Sequence, residues 1–146
     1  MLSARSLFDL STFAHPDLFQ AAQPAWAALE RLKEHMNDFS YPQLNPTLVP
    51  EGVPLPRTVV LYQGQWLNAD RLRIEYNDAT KGTLRVWDGE KALTGASVVM
   101  AGTVLMGGQI QLGQGVLVES GALIKGPTII GDWTEVRQGA YLRGYC

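Results

Sequence analysis

The stretch GPTIIGDWTEVRQGAYLRGYC, from Gly126 to Cys146, carries an aliphatic residue at every sixth position. Ile130, Val136 and Leu142 hold these positions, and the aliphatic Ile124 lies one period earlier. Such spacing fits neither an α-helix, which repeats every 3.6 residues or so, nor a long strand, which repeats about every two. It is typical of a short strand and a sharp turn that follow one another many times.

The same series extends back into the middle of the chain. Its nine positions all hold an aliphatic residue or methionine except the first: Thr94, Met100, Met106, Leu112, Val118, Ile124, Ile130, Val136 and Leu142. We expect these side chains to point into a narrow interior. Three units would then make one triangular coil, with successive coils about 4.8 Å apart. The uninterrupted series disfavours the alternative, an ordinary β-sandwich with glycine-rich turns.

The chain ahead of the repeat divides into three regions, so we expect four segments in all. Residues 1–39 are predicted to be a helical segment, residues 40–57 a linker, residues 58–90 short β-strands or a first irregular coil, and residues 91–146 the repeat. Four apolar residues of the first segment are spaced as on one face of a helix: Trp26, Leu29, Leu32 and Met36. The linker prediction rests on composition, because five of the eight prolines lie in it and proline removes an amide donor.

Composition limits the classes of protein to which the chain can belong. A formal net charge of −2 argues against a general nucleic-acid binder, which would carry a basic excess. The single cysteine, Cys146, excludes an internal disulfide framework and fits a reducing compartment. No apolar run is long enough to cross a membrane, and the N-terminus lacks the pattern of a signal peptide. We therefore predict a cytoplasmic protein with no membrane or nucleic-acid partner.

The repeat resembles that of the hexapeptide-repeat proteins, which form left-handed parallel β-helices. The handedness comes from this resemblance, since the spacing of the residues does not determine it. The predicted fold class is therefore mainly β, a single-stranded left-handed parallel β-helix with an N-terminal helical segment and a small mixed-β region.

Residues 126–144 are similar to the C-terminal β-helix of the sugar-phosphate nucleotidyltransferases. They are most similar to the acetyltransferase half of the bifunctional enzyme that makes UDP-N-acetylglucosamine. In that family a segment aliphatic-Arg-x-Gly-Ala contributes an arginine to the sugar-nucleotide site, and Val136 to Ala140 has this form. The resemblance implies that Arg137 binds a sugar nucleotide or sugar phosphate. It also implies a homotrimeric acyltransferase that uses acetyl-CoA or another acyl-CoA.

Basic residues near the C-terminus form one cluster on the predicted repeat. Lys125 and Arg143 are expected to stack on adjacent coils, and like charges side by side favour a shared anion. The candidate substrate-binding residues are Lys125, Arg137, Gln138, Tyr141 and Arg143. An alternative for Arg137 is an exposed ion pair with Glu119 on the neighbouring coil, worth about 0–1 kcal/mol.

The repeat lacks the residues that catalysis would need. Acyl transfer requires a general base, which the resemblance implies to be a histidine on the β-helix, but His15 and His35 both precede the repeat. A carbonic-anhydrase-like metal site would need three histidines, so no metal ligands are predicted. Gly107 and Gly113 follow the six-residue repeat as turn glycines and do not indicate a phosphate loop, which argues against nucleotidyl transfer.

The repeat also stops four residues after Leu142, with no segment left to cover the last coil. We interpret the chain as an inactive fragment of a transferase whose catalytic histidine lies on further coils. The alternative is a non-catalytic oligomerisation or regulatory module of a nucleotidyltransferase system, whose open end a second chain covers.

Overall fold

The computed structural model describes residues 2–146. Contacts between Cα atoms divide them into two compact units. The first comprises the described residues up to Ser40 together with Tyr145, and the second comprises Tyr41–Gly144 together with Cys146.

The first unit is helical. It contains the helices α1 (Ala4–Leu7) and α2 (Ala28–Asp38) and two 3-10 turns, Pro16–Leu18 and Ala25–Ala27. The predicted apolar series is only partly buried, because Met36 is 1% exposed whereas Trp26 is 60% and Leu29 70% exposed. Trp26 belongs to the 3-10 turn ahead of α2, so the start of the series departs from the helical spacing that predicted one face.

The second unit is built from short strands. They are β1 (Val59–Tyr62), β2 (Gln65–Asn68), β3 (Leu72–Glu75), β4 (Arg85–Asp88), β5 (Lys91–Ala92), β6 (Ser97–Val99), β7 (Val104–Met106), β8 (Ile110–Leu112), β9 (Leu117–Val118), β10 (Leu123–Lys125), β11 (Thr128–Ile130), β12 (Glu135–Val136) and β13 (Tyr141–Leu142). Two further 3-10 turns, Ala69–Arg71 and Ala79–Lys81, follow β2 and β3.

The fold class predicted from the sequence is wrong. The structure is mixed α/β, and its strands form four small sheets with both parallel and antiparallel pairs instead of a single left-handed β-helix. The sheets have the strand orders β12-β9-β6-β1-β2, β13-β10-β7, β11-β8 and β3-β4-β5. The first is mixed because the hairpin β1–β2 pairs antiparallel with β6, whereas β6, β9 and β12 are parallel.

The predicted register also fails near the start of the repeat. Ile110 pairs with Thr128, eighteen residues later, but Val104 pairs with Leu123, nineteen residues later. One extra residue therefore lies between β7 and β8, where Gly107 has a φ of +81° and Gly108 has open space around it. The fully buried residue of β7 is consequently Leu105, whereas the predicted Met106 is 37% exposed.

The five-stranded sheet has a hydrophobic core on each face. Successive side chains of a strand point to opposite faces, and this alternation is seen in three of its strands. Val59, Val99 and Val118 belong to one core cluster, whereas their neighbours Val60, Val98 and Leu117 belong to the other. This double burial explains why β6 and β9 are apolar at every position except Ser97.

The proline-rich segment packs against the strands. Its residues Val49 and Leu55, each 2% exposed, contribute to the first core cluster. The Gly52 amide donates to the Leu105 carbonyl and the Leu55 amide to that of Thr103, both at 2.8 Å. Pro54 forms an isolated antiparallel bridge with Val104, so this segment runs along the outer edge of β7.

Candidate functional site

A cleft of about 410 Å³ lies in the second unit where one row of core residues ends in a carboxylate. Val60, Val98, Leu117 and Glu135 are successive ladder partners across β1, β6, β9 and β12. The first three are buried in the second core cluster. The fourth position is polar, so the core stops at Glu135 and a cleft opens beside it.

The Glu135 carboxylate joins two distant segments of the chain. Its Oε1 accepts a hydrogen bond from the Ala79 amide at 2.9 Å. Its Oε2 accepts from Nε of Arg137 at 3.0 Å and lies 3.0 Å from Nη2 of the same guanidinium. The Glu135 side chain is only 9% exposed, whereas that of Arg137 is 74% exposed. These charge-assisted bonds compensate for the partial burial of the carboxylate.

The loop between β3 and β4 forms one wall of the cleft and is held by its own polar contacts. The Asp78 carbonyl accepts from both the amide and the hydroxyl of Thr83, at 3.0 and 2.9 Å. Lys81 lies 3.3 Å from the Asp78 carboxylate. Because the Thr80 hydroxyl donates to that carboxylate and Lys81 lies beside it, the pKa of Asp78 is below its ordinary value of 3.8.

Glu119 also lines the cleft. The sequence suggested an ion pair between Glu119 and Arg137, but the structure does not contain it. Oε2 of Glu119 accepts from the Gln138 amide at 2.9 Å, while the guanidinium of Arg137 pairs with Glu135. Arg137 and Glu135 are two residues apart, so they lie on the same side of the chain and meet without a crossing between strands. The expected Arg137–Glu119 ion pair is therefore replaced by one within a single strand segment.

The lining of the cleft is mixed in chemistry. It comprises Tyr76, Asn77, Asp78, Met100, Leu117, Glu119, Ser120, Glu135, Arg137 and Gln138. Three carboxylates face a single guanidinium, and half of the Tyr76 side chain is exposed. A few polar groups beside an apolar surface are typical of a small-molecule site.

The structure separates the five substrate-binding residues predicted from the sequence. Arg137 and Gln138 line the cleft. Lys125, Tyr141 and Arg143 instead belong to or directly follow strands of the sheet β13-β10-β7, where all three side chains are exposed. Lys125 and Arg143 come directly after the ladder partners Ile124 and Leu142, so the two residues follow neighbouring backbone positions at the end of this strand pair.

Sequence reasoning missed five polar or aromatic residues of the cleft: Tyr76, Asn77, Asp78, Ser120 and Glu135. Asn77 and Asp78 lie in a stretch whose composition indicates only a turn, and Tyr76 ends the preceding stretch, whose composition predicts a strand. Glu135 precedes the repeat position Val136 and is not selected by any motif, although a carboxylate on the covered face of a strand needs a partner. The partner Ala79 is far away in sequence, so only the folded chain reveals the pair.

The two histidines lie in the first unit and form a pair of their own. Nε2 of His35 lies 3.2 Å from Nδ1 of His15, with the rings edge-on at a centroid distance of 5.1 Å. The rings of Phe13 and Phe39 pack edge-on against His15. Burial, and to a smaller extent repulsion from His35, lower the pKa of His15 below its ordinary value of 6.5.

The lowered pKa predicts that the first unit loses stability as the pH falls below about 6.5. As the pH falls, His15 of the unfolded chain takes up its proton at the ordinary pKa, before His15 of the folded chain does. The contribution of neutral His15 to stability is therefore fully present above pH 6.5 or so and is lost as the pH falls towards the lower pKa of the folded chain. Thermal unfolding at a series of pH values should show this loss, and His15→Gln should reduce it. An NMR titration that places the pKa of His15 above 6.5 would contradict the prediction.

Residues 2–146 contain no group of three or more His, Cys, Asp or Glu side chains arranged to hold a metal ion. None of the helices in this range combines the length and the apolar character that a membrane span requires.

Comparison with known proteins gives no relative. No protein-family model matches the chain, and no significant similarity to a curated protein or to a solved structure is found.

Proposed function

We propose that the cleft binds a sugar phosphate or a sugar nucleotide through Arg137. The observation that carries the proposal is that Arg137, which the resemblance of residues 136–140 selects, lines this cleft together with Gln138, a second candidate from the sequence. A guanidinium has five N–H donors, and the contacts with Glu135 engage only Nε and Nη2. The remaining donors are available to a phosphate oxygen.

The rest of the lining suits the sugar of such a ligand. Asn77 and Gln138 supply amides, and the carboxylates of Asp78 and Glu119 can accept hydrogen bonds from sugar hydroxyls. Met100 and the exposed ring of Tyr76 provide an apolar surface for the face of a sugar ring or a base. Three carboxylates beside one cation repel a phosphate, so the affinity depends on hydrogen bonds to the sugar hydroxyls as well as on Arg137.

Replacing Arg137 with alanine is expected to weaken binding of UDP-N-acetylglucosamine and N-acetylglucosamine 1-phosphate by roughly ten- to a hundredfold. A hydrogen bond to a charged group contributes about 1.5–3 kcal/mol, and each 1.4 kcal/mol or so changes affinity tenfold. Isothermal titration of the purified chain measures the effect.

Arg143→Ala is the matched control, because it removes an exposed arginine that follows β13 and does not line the cleft. Equal affinities of the wild type and Arg137→Ala, or a loss only in Arg143→Ala, would contradict the proposal. Arg137→Lys keeps the charge next to Glu135 and so separates loss of binding from loss of folding.

We propose acyl transfer to the bound sugar, with acetyl-CoA or another acyl-CoA as donor, as the reaction of the protein in the cytoplasm. The cleft does not fit the reaction with an acyl donor, because attack on a thioester needs a base beside the acceptor, and the histidine that the resemblance implies for this role is absent from the lining.

The second candidate is a non-catalytic oligomerisation or regulatory module, which forms a homotrimer. It is favoured by the exposed side chains on the sheet β13-β10-β7, where Tyr141 is 62% and Met106 37% exposed. Aromatic residues, methionine and arginine are enriched in protein interfaces. A chain that sediments as a trimer and binds neither sugar ligand would favour this function over the first.

A further inference from the structure

The Glu135 carboxylate is bonded through both of its oxygens, one to each wall of the cleft. Oε1 holds the Ala79 amide of the loop that carries Tyr76 and Asn77. Oε2 holds the guanidinium of Arg137, which follows β12. A single side chain thus connects two walls of the cleft that are far apart in sequence.

The loop depends on this bond because its centre is fixed there. Ala79 is fully buried and begins the 3-10 turn Ala79–Lys81, whose end is closed by Gly82 at a φ of +64°. The amide of Ala79 points away from the turn and reaches Glu135 at 2.9 Å. Without the carboxylate, this buried donor would have to find another partner or open the loop.

Arg137 depends on the same carboxylate for its direction. Its side chain is 74% exposed, so the hydrogen bond of Nε to Glu135 is what restricts the rotation of the guanidinium. An arginine that is already oriented loses less conformational freedom when a phosphate binds.

We propose that Glu135 is the positioning residue of this cleft, which orients Arg137 and couples the loop of residues 76–81 to ligand binding. The proposal rests on the proposed function for its ligand, a sugar phosphate or sugar nucleotide. The two bonds themselves can be tested without a ligand.

Two substitutions separate the two bonds. In Glu135→Gln the amide oxygen can still accept from Ala79, but the carboxylate that pairs with Arg137 is lost. In Glu135→Ala both bonds are lost. Glu90→Gln, in the turn between β4 and β5 and outside the cleft, is the matched control.

Ligand-free NMR and hydrogen exchange give the first readout. We expect exchange of the Ala79 amide to become about tenfold faster in Glu135→Ala and to stay near the wild-type rate in Glu135→Gln. The Nε–H signal of Arg137 should lose its protection in both variants. An Ala79 amide that exchanges equally fast in wild type and Glu135→Ala, or an Arg137 signal unchanged in Glu135→Gln, would overturn the proposal.

Affinity for UDP-N-acetylglucosamine gives the second readout, because positioning and plain electrostatics predict opposite signs. Removing a negative charge beside Arg137 should tighten binding of an anion if charge alone matters. Loss of orientation should weaken it, and we expect binding about fivefold weaker in Glu135→Gln. Tighter binding overturns the positioning role. If the wild type binds no sugar ligand, the proposed function fails while the exchange measurements still decide whether Glu135 orients Arg137 and the loop.

Discussion

Replacing Leu105 with alanine is expected to lower the free energy of unfolding by about 2–5 kcal/mol, the range for a large buried aliphatic side chain. Leu105 has no exposed surface and lies in the first core cluster, where its ladder partner Ile124 is also fully buried. Truncation would remove apolar contacts and leave a cavity between two strands that a short, hydrogen-bonded ladder cannot close. Urea unfolding followed by circular dichroism measures the loss.

The neighbouring residue provides the control. Met106→Ala should change the free energy of unfolding by less than about 1 kcal/mol, because 37% of Met106 is exposed and its removal leaves little cavity. The six-residue series that ends at Leu142 makes the opposite prediction, since it places Met106 inside. If Met106→Ala lowered the free energy of unfolding more than Leu105→Ala does, Met106 would be the buried residue. That result would contradict the extra residue between β7 and β8.

Replacing Gly113 with alanine is expected to cost about 1–3 kcal/mol, the range for an overpacked site. A Cβ at this position would lie 2.6 Å from the Asp132 amide nitrogen and 2.8 Å from the Gly131 carbonyl carbon. Both are backbone atoms, so the clash cannot be relieved by rotating a side chain. Gly113 also donates to the Ile130 carbonyl at 2.8 Å, and this bond would lengthen as the two segments move apart.

Gly131→Ala is the matched substitution, since Gly131 lies in the segment facing Gly113 but a Cβ added to it would meet no atom within 4 Å. Neither glycine has a positive φ, so the two variants differ in the space available to the methyl group and not in backbone strain. Thermal unfolding of both variants tests the prediction, and equal melting temperatures would show that the neighbouring segment adjusts without loss.

The C-terminal half of the repeat could be predicted because its spacing is regular. Ile124, Ile130 and Val136 are buried, as the six-residue series requires. Ahead of β8, apolar residues also recur every six positions in a second series, which lies one residue earlier in the chain than the first. The buried residues Leu93 and Val99 belong to this second series. The glycine pair 107–108 separates the two series, but a pair of glycines does not by itself reveal that one residue is added.

The prediction of the fold class was wrong for a different reason. The six-residue spacing predicts a succession of short strands along the repeat. It does not indicate which strands from outside the repeat pair with them. The hairpin β1–β2 pairs with β6 and makes that sheet mixed. In the same way, Arg137 was selected from a local segment, whereas the bond between Glu135 and Ala79 joins residues that only the tertiary structure brings together.

The proline-rich segment along β7 also covers a strand edge that would otherwise be open to other chains. A strand at the edge of a sheet exposes a row of amides and carbonyls on which a foreign strand can assemble. Here the carbonyls of Thr103 and Leu105 are already occupied by Leu55 and Gly52. The outer residues Pro54 and Pro56 have no amide proton to offer, so the added layer cannot itself be extended regularly. This flank of the molecule is thereby protected against the sheet-to-sheet growth that leads to aggregates.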